Sequence, residues 1–413
     1  MNNLVGIIGI FILLGIAFLI SNNRSKIDYK LIAWGLCLQW FFAFFILKTP
    51  VGKPIFSLLD KFINKIISFS NAGSDFLFTS FVPEIGYHSA LINFAFRALP
   101  TIIFFSALIS VLYHLNIIQL IIKAFSTIMQ KTMKTTGPET LSVSANIFVG
   151  QTEAPLLIRP YINNMTKSEL MAVTVGGFST VAGGVLAIYV SWLTNIDGIA
   201  GHLLAASVMS APAALIIAKI IYPETEIPKS VKKVNIKLEK NSSDIIEAFS
   251  DGATDGLKLA GNIAAMLIAF VSIIALIDYS IGASCSYLGL GNLSLDEILG
   301  VFFQPLAWSM GIPWNESSIA GALMGKKIIF TELIAYADLE NLITSNSISD
   351  RTAIICSYAL CGFANFGSIG IQLGGIGSIA PKRKKDLAKI IFKAMIGGAL
   401  ASWLTATIAG ILI

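Results

Sequence analysis

Apolar runs long enough to cross a lipid bilayer decide what this chain can fold into. Hydrophobic residues make up 55% of its 413 residues, charged residues 13%, and the mean hydropathy is +0.77. A membrane-spanning helix needs about 20 mostly apolar residues, and these runs are continuous rather than alternating, which argues against a transmembrane β-barrel. We predict eight membrane-spanning helices, at about 4–20, 30–47, 89–113, 169–193, 199–222, 254–280, 350–374 and 386–413.

Charge and cysteine content narrow the class further. The net charge is +5, and the basic residues sit in short clusters between apolar runs, so they report topology and not nucleic-acid binding. The four cysteines lack metal-ligand spacing and are interpreted as small buried hydrophobes. No Lys or Arg precedes the first apolar run and no small-residue cleavage site follows it, so we expect a retained span rather than a signal peptide.

Two apolar segments, at about 139–165 and 314–345, are broken in the middle by polar residues. The first contains the sequence Gly150-Gln151-Thr152-Glu153-Ala154-Pro155, and the second contains Thr331-Glu332. A charged side chain at mid-membrane costs roughly 2.5 to 3.5 kcal/mol on insertion scales unless it has a partner or lines a cavity. Irregular backbone at that depth is tolerated only against protein or water, so we predict two re-entrant helical hairpins.

Each hairpin is followed by an apolar span interrupted by small and polar residues, at 177–184 and at 362–370. The two Thr-Glu pairs are 179 positions apart and the two Gly-Phe pairs 185, which indicates an internal duplication with a short loop insertion. Duplicated, Gly-interrupted helices in corresponding places are typical of secondary transporters. The alternative for either glutamate alone is a packing hydrogen bond between helices.

The distribution of charge predicts the orientation. With the N-terminus outside, three predicted cytoplasmic loops are basic, whereas the outer stretch 277–316 has Asp278, Asp296, Glu297 and Glu316 and no Lys or Arg. The basic loops contain Arg24, Lys26 and Lys30; Lys229, Lys232, Lys233, Lys237 and Lys240; and Lys382, Arg383, Lys384 and Lys385. This asymmetry requires both hairpins to be re-entrant, which gives the repeats inverted topology and places both termini outside.

The expected domain order follows the spans. Amphipathic stretches at 53–81, 117–134 and 295–310 are predicted to lie along the membrane surface. We assign 1–113 to a scaffold of spans one to three, 114–222 to the first repeat of a transport domain, 223–252 to a cytoplasmic linker whose Lys- and Pro-rich part is 224–241, 253–280 to span six of the scaffold, and 281–413 to the second repeat.

The hairpin tips and the broken spans are expected to converge on one polar chamber near the bilayer centre. Its ionisable groups would be Glu153 and Glu332, and no Arg or Lys lies at the tips, the nearest being Lys326 and Lys327. Carboxylates accept hydrogen bonds from hydroxyls, amides pair with ring edges and an aromatic packs on a flat face, which favours a neutral, hydroxyl-rich, ring-bearing solute. The other expected members are Gln151, Thr152, Phe363, Asn365 and Ser368.

A coupling ion has candidate ligands in the first repeat. Unwound backbone frees carbonyl oxygens for a hard cation, so Asn146, carbonyls near Val149, and Thr180 with Val181 could cage a sodium ion. The alternative is that Asn146 and Thr180 cap broken helices.

Three motifs together resemble the concentrative nucleoside transporter family: Gly150–Pro155, Thr331-Glu332-Leu333-Ile334-Ala335-Tyr336, and Gly362-Phe363-Ala364-Asn365. The similarity runs from about residue 30 to the C-terminus. The family usually has Asn-Glu-Phe-Val-Ala-Tyr where this chain has Thr331–Tyr336, and a Ser or Thr is common where Gly184 stands.

The resemblance implies a homotrimer in the bacterial inner membrane, with a scaffold and an elevator-type transport domain that imports nucleosides by symport with sodium or protons. It implies that Gln151, Thr152, Glu153 and Val185 contact the nucleobase. It also implies that Glu332, Asn365 and Ser368 hold the ribose hydroxyls, that Phe363 packs on the nucleoside, and that sodium binds near Asn146, Val149, Thr180 and Val181.

We therefore predict an all-α polytopic membrane protein, with eight spans and two re-entrant hairpins, that acts as a cation-coupled nucleoside symporter with sodium favoured. Proton coupling and transport of another neutral polar solute, such as an amino acid or sugar, stay open. A membrane-embedded enzyme is disfavoured because the three histidines are scattered and no nucleophile–base or Asp-rich motif is present. Two occluding hairpins suit alternating access better than a channel.

Overall fold

The computed structural model describes residues 2–79, 93–228, 242–287 and 293–413, and these residues form helices and connecting turns without a strand. The helices of the first part are α1 (Asn2–Leu19), α2 (Tyr29–Lys48), α3 (Gly52–Phe78), α4 (Leu99–His114), α5 (Ile117–Met133), α6 (Gly137–Ala145), α7 (Arg159–Ile162), α8 (Lys167–Ser179), α9 (Gly183–Trp192) and α10 (Ile199–Ile221). Those of the second part are α11 (Ile245–Tyr287), α12 (Leu295–Ser309), α13 (Trp314–Ile329), α14 (Glu332–Thr344), α15 (Asp350–Leu360), α16 (Phe366–Ile379) and α17 (Lys384–Leu412).

Six helical stretches of the described residues are long and apolar enough to cross a membrane. They are Tyr29–Lys48, Ala95–His114, Lys167–Trp192, Ile199–Ile221, Ile245–Cys285 and Pro381–Leu412. Of the other two predicted spans, the first corresponds to a shorter apolar helix, Leu4–Leu19, and 350–374 is divided between α15 and α16. The prediction of a multi-pass helical membrane protein is confirmed, whereas the count of eight crossings stays a prediction.

One predicted boundary is wrong. The sixth span was expected at 254–280, after a linker ending at 252, but α11 already begins at Ile245 and continues to Tyr287. Asp244 sets this start because its Oδ1 accepts a hydrogen bond of 2.8 Å from the backbone N–H of Glu247. The first turn of α11 is apolar, but Ser250-Asp251-Gly252 separates it from the continuous apolar run from which the span was predicted. Residues 229–241 of the linker and 89–92 of the third predicted span lie outside the described residues.

The same order of elements occurs twice. A helix (α5 or α12) leads to a helix–turn–helix unit, which is followed by an interrupted helix and then by a long helix (α10 or α17). The helix–turn–helix units, here named hairpin 1 (137–162) and hairpin 2 (314–344), have their turns at 146–153 and 330–331. The helices α3, α5 and α12 occupy the stretches predicted as amphipathic, apart from residues 80–81, which are not described.

The two interrupted helices touch at their breaks. Gly362, in the break between α15 and α16, has a φ of +147°, and a Cβ there would lie 2.8 Å from the carbonyl oxygen of Phe178 and 2.9 Å from the carbonyl carbon of Ser179. Those two residues end α8. A side chain at position 362 would therefore force the breaks apart, and its backbone conformation would be strained as well.

The remaining long helices fall into two packed groups. The helix α2 lies along α10, and α1 along α17; the buried Gln39 of α2 donates a hydrogen bond of 3.0 Å to Thr405 of α17, which also accepts one of 3.2 Å from Ser210 of α10. In contrast, α4 pairs closely with α11, because Gly252 and Gly256 let the backbones approach.

The contact at Gly362 gives a stability test. Gly362→Ala should lower the apparent melting temperature of the purified protein, because strained backbone alone costs about 1–3 kcal/mol and the clash with α8 adds to that cost. Gly374→Ala is the matched control, since nothing lies within 4 Å of a Cβ at that helical position. Equal melting temperatures for the two variants would contradict the contact.

Candidate substrate-binding site

Glu332 lies at the tip of hairpin 2, as the first residue of α14, and its side chain is buried with 2% of its surface exposed. Thr331 precedes it as the N-cap and accepts a hydrogen bond of 3.4 Å from the backbone N–H of Ile334. The threonine thus supplies the capping oxygen that an asparagine would supply at this position. The departure from the family motif leaves the start of α14 intact.

Two neutral donors hold the Glu332 carboxylate. The Tyr189 hydroxyl donates to Oε1 at 3.1 Å, and the Asn365 amide donates to Oε2 at 2.8 Å. The Tyr189 ring stacks on Tyr336 with a centroid distance of 3.9 Å, which fixes the phenol. A carboxylate offers about four acceptor positions, so two remain for further donors.

Asn365 and Ser368 extend this arrangement towards hairpin 1. The Asn365 Oδ1 accepts the backbone N–H of Ser368 at 2.7 Å and so caps α16. The Ser368 hydroxyl accepts a hydrogen bond of 3.3 Å from the Gln151 amide, and Gln372 donates to Gln151 at 3.1 Å. A continuous set of polar side chains thereby joins the tips of the two hairpins.

The three predicted residues of hairpin 1 face different ways. Gln151 is buried against α16, and Thr152 lies on the same side, because a Cβ on Gly375 would be 2.7 Å from its Cγ2. Glu153 is exposed, its carboxylate lies over Gly150, and it lines a cavity of about 1420 Å³. Glu332 does not line this cavity, so the convergence of both carboxylates in one chamber stays a prediction.

Val185 and Phe363 complete the predicted substrate set. Val185 is buried on α9, one turn before Tyr189, and Phe363 is half-buried in the break before α16. Position 184, where the family often has a hydroxyl side chain, is glycine here. The Ser106 hydroxyl of α4 lies 3.5 Å from the point that a Cβ on Gly184 would occupy, so a hydroxyl is present from another helix.

Two of the four candidate sodium ligands, Asn146 and Thr180, lie beside Gly176 near the end of α8. Asn146 is 1% exposed and its Oδ1 has no hydrogen-bond partner, while its amide nitrogen lies 3.5 Å from the Cβ position of Gly176. Thr180 donates its hydroxyl proton to the carbonyl of the same Gly176 at 3.3 Å. A buried, unpartnered amide oxygen beside a helix end suits a hard cation. Val149 and Val181 are also buried.

Sequence reasoning missed two side chains. Tyr189 and Gln372 hold Glu332 and Gln151, and helical spacing could have identified them, because each follows a predicted site residue, Val185 or Ser368, by four positions. Lys327, one of the two lysines nearest the tip of hairpin 2, is fully buried, and its ammonium donates to the Ala359 carbonyl at 2.7 Å and to Ser402 at 2.8 Å.

Known proteins match this chain along its whole length. Family profiles described as "Na+ dependent nucleoside transporter" cover residues 8–81 (N-terminus) and 202–410 (C-terminus), and one described as "Nucleoside recognition" covers 95–194. An uncharacterized transporter of Haemophilus influenzae is 41% identical, with 100% of this chain and 98% of that protein aligned. Human sodium/nucleoside cotransporter 1 is 40% identical; this chain aligns in full with 64% of its length.

Solved structures agree with the sequence matches. The structure of CNTnw in an inward-facing substrate-bound state superposes with a TM-score of 0.92 at 40% identity, covering 100% of this chain and 98% of that one. Duplicated hairpins and interrupted helices with polar tips define a membrane transporter. The chain belongs to the concentrative nucleoside transporter family, as its motifs predicted.

The hydrogen bond from Tyr189 to Glu332 gives a second test. Tyr189→Phe keeps the stacked ring but removes a donor from a buried carboxylate, a change that costs about 1.5–3 kcal/mol. The purified variant should melt at a lower temperature. Tyr29→Phe removes a hydroxyl from a side chain 67% exposed and should leave the melting temperature unchanged; a Tyr189→Phe protein as stable as this control would rule out the hydrogen bond.

Proposed function

We propose that the protein is a sodium-coupled symporter that imports nucleosides such as uridine. The observation that carries this proposal is the Glu332 carboxylate, which is buried, held by Tyr189 and Asn365, and left with two acceptor positions. The vicinal hydroxyls of a ribose are two donors at the right spacing for one carboxylate. Ser368 and Asn365, at the start of α16, stand beside it to fix the sugar.

Hairpin 1 supplies the groups for the base. The Gln151 side-chain nitrogen donates to Ser368, and its oxygen accepts from Gln372. Either hydrogen bond could be replaced by one to the edge of a nucleobase, so the amide would stay paired. Glu153 and Thr152 follow in the same turn, Val185 offers an apolar contact, and Phe363 offers an aromatic face. Neutral donors and carboxylates favour an uncharged nucleoside over a phosphorylated one.

A sodium ion would bind at the turn of hairpin 1 and hold the conformation of that turn. The unpartnered Oδ1 of Asn146 lies in the turn that continues to Gln151, so an ion held there with Val149, Thr180 and Val181 would fix the geometry of the base-binding side chains. This arrangement explains how ion and nucleoside binding would be coupled. The names of the related sodium/nucleoside cotransporters support the choice of sodium.

Transport would proceed by alternating access of the elevator type. The cavity below Glu153 also reaches His114 and Ser242, which lie on the cytoplasmic side in the predicted orientation, so this conformation would be inward-facing. The hairpins and interrupted helices would move as one body against spans one to three and span six, here α1, α2, α4 and α11.

The assembly and location follow from family membership and charge. We propose a homotrimer in the bacterial inner membrane, with both termini outside, because basic loops mark the cytoplasmic side. Proton coupling is the second candidate, favoured by a buried carboxylate in the site itself.

Replacing the two carboxylates tests whether they bind the transported nucleoside. Glu332→Gln and Glu153→Gln should each reduce sodium-driven uridine uptake into proteoliposomes at least tenfold at low uridine concentration, since each hydrogen bond to a charged group is worth about 1.5–3 kcal/mol. Glu226→Gln makes the same change at an exposed position and should transport normally. Wild-type uptake in either site variant would remove that residue from the site; failure of the wild-type protein to take up any nucleoside, with uptake of another polar solute, would overturn the proposal.

The coupling ion is tested through Asn146. Asn146→Leu should raise the sodium concentration for half-maximal uridine uptake at least tenfold, because it removes a ligand oxygen. The control is Asn164→Leu, at an exposed position between hairpin 1 and α8. Undiminished uptake by the wild-type protein in sodium-free buffer with an imposed proton gradient would instead establish proton coupling.

A further inference from the structure

Ser106 of α4 lies where two other helices approach α4 through glycines. A Cβ on Gly184 of α9 would be 3.5 Å from the Ser106 Oγ, and a Cβ on Gly256 of α11 would be 2.9 Å from the Ser106 Cβ. On the α9 side, the next atom of α4 is the Cγ2 of Ile102, 4.0 Å from the Gly184 position. Ser106 is therefore held between α9 and α11, and its hydroxyl is on the side of α9.

The Ser106 hydroxyl is available to a solute. A serine or threonine within a helix commonly donates its proton to a carbonyl three or four residues earlier, as Thr101 of α4 does to the Arg97 carbonyl at 3.0 Å. Ser106 makes no such bond, and its hydroxyl has no hydrogen-bond partner in the part of the chain that the structure describes. It is half-buried and lines the cavity of about 1420 Å³, so its donor and its lone pairs can both serve a bound molecule.

The turn of hairpin 1 adjoins this hydroxyl through the start of α9. The Gly183 backbone N–H donates to the Phe148 carbonyl at 3.2 Å, and a Cβ on Gly150 would be 3.5 Å from the Ala182 Cβ. Gly150, Gly183 and Gly184 line the same cavity as Ser106, and so does the Glu153 carboxylate. A base bound at the turn of hairpin 1 would thus lie beside a short strip of bare α9 backbone that ends at the Ser106 hydroxyl.

Gly184 leaves the space that this hydroxyl faces. A side chain there would meet the Ser106 Oγ at ordinary van der Waals distance, so a serine at position 184 would fit, and its hydroxyl would enter the same gap from α9. The gap can therefore receive a hydroxyl from either helix. In this chain α4 supplies it.

We propose that Ser106 is a base-binding residue: its hydroxyl, presented across the gap at Gly184, forms a hydrogen bond with the polar edge of the nucleobase. The inference rests on the proposed function in one respect, that hairpin 1 and α9 bind the base of a nucleoside. It adds a base contact from α4, a helix outside both repeats. In the proposed elevator mechanism α4 is stationary and α9 moves, so this contact belongs to the conformation described here.

The test is uridine binding to the purified protein at saturating sodium, measured by calorimetry. Ser106→Ala should raise the dissociation constant about threefold to tenfold, because one neutral hydrogen bond is lost. Gly184→Ser added to Ser106→Ala should restore the wild-type value, since it returns a hydroxyl to the gap, whereas Gly184→Ala added to Ser106→Ala should not. Ser110→Ala is the matched control: Ser110 lines the cavity one turn further along α4 and should bind uridine as the wild type does.

The outcomes separate this inference from the proposed function. A wild-type protein that binds no nucleoside would overturn the proposed function. Normal wild-type binding with an unchanged dissociation constant in Ser106→Ala would overturn the role of Ser106 alone, and would show that it is only a small residue in the packing of α4. Recovery with both substitutions of Gly184, or with neither, would also overturn the inference, because the hydroxyl would then not be what matters. Should Ser106→Ala fail to fold, Ser106→Cys, of nearly the same size as serine, takes its place in the series.

Discussion

The contact between the two helix breaks is the constraint on which the rest of the structure depends. Gly362 lies against the carbonyls that end α8, and Phe178 is held from the other side by the backbone of α17 at Gly398. A break in one apolar helix leaves backbone groups unpaired, which lipid does not tolerate. The two breaks lie against each other and against the hairpin turns, so all four irregular segments are surrounded by protein. The polar side chains that hydrogen-bond to one another at these segments form the candidate site.

Charged residues anchor both hairpins to neighbouring elements. Lys219 of α10 pairs with Glu139 of hairpin 1 at 2.7 Å in a buried position, and Arg383 donates to the Ile162 carbonyl at the other end of the same hairpin at 3.1 Å. Lys326 ties the two arms of hairpin 2 to each other and to α12. Hairpin 1 is thus fastened at its base, whereas the ion pairs of hairpin 2 lie in the last turn before its tip.

Helices with long apolar runs could be predicted from the sequence, and so could the turns and breaks where polar residues interrupt those runs. The turns at 146–153 and 330–331 and the breaks after Ser179 and Leu360 fall where polar residues interrupt apolar runs. The start of α11 was missed because Ser250-Asp251-Gly252 interrupts the apolar run, although Asp244 followed by Glu247 is the pattern of a helix start. Within the site, the sequence identified the residues at the irregular segments, which stand out by composition.

The hydrogen-bond partners of the site residues were missed where they lie on regular helices, because there they do not stand out by composition. Tyr189 and Gln372 look like ordinary members of apolar helices, and only their three-dimensional positions link them to Glu332 and Gln151. The direction of a side chain in an irregular turn is equally beyond sequence reasoning, since Gln151 and Glu153 are two positions apart yet one is buried and the other lines the cavity. Local composition locates such a turn, whereas packing decides which way its side chains point.

The glycine at position 184 has a mechanical consequence. Together with Gly183, whose Cβ position lies 2.8 Å from Ile109, it presents α9 to α4 as bare backbone. Interlocking side chains would have to disengage whenever one helix shifted along the other, which produces a rugged energy profile. In the elevator mechanism that we propose, these two positions of α9 would have no side chains to disengage from α4 during the movement.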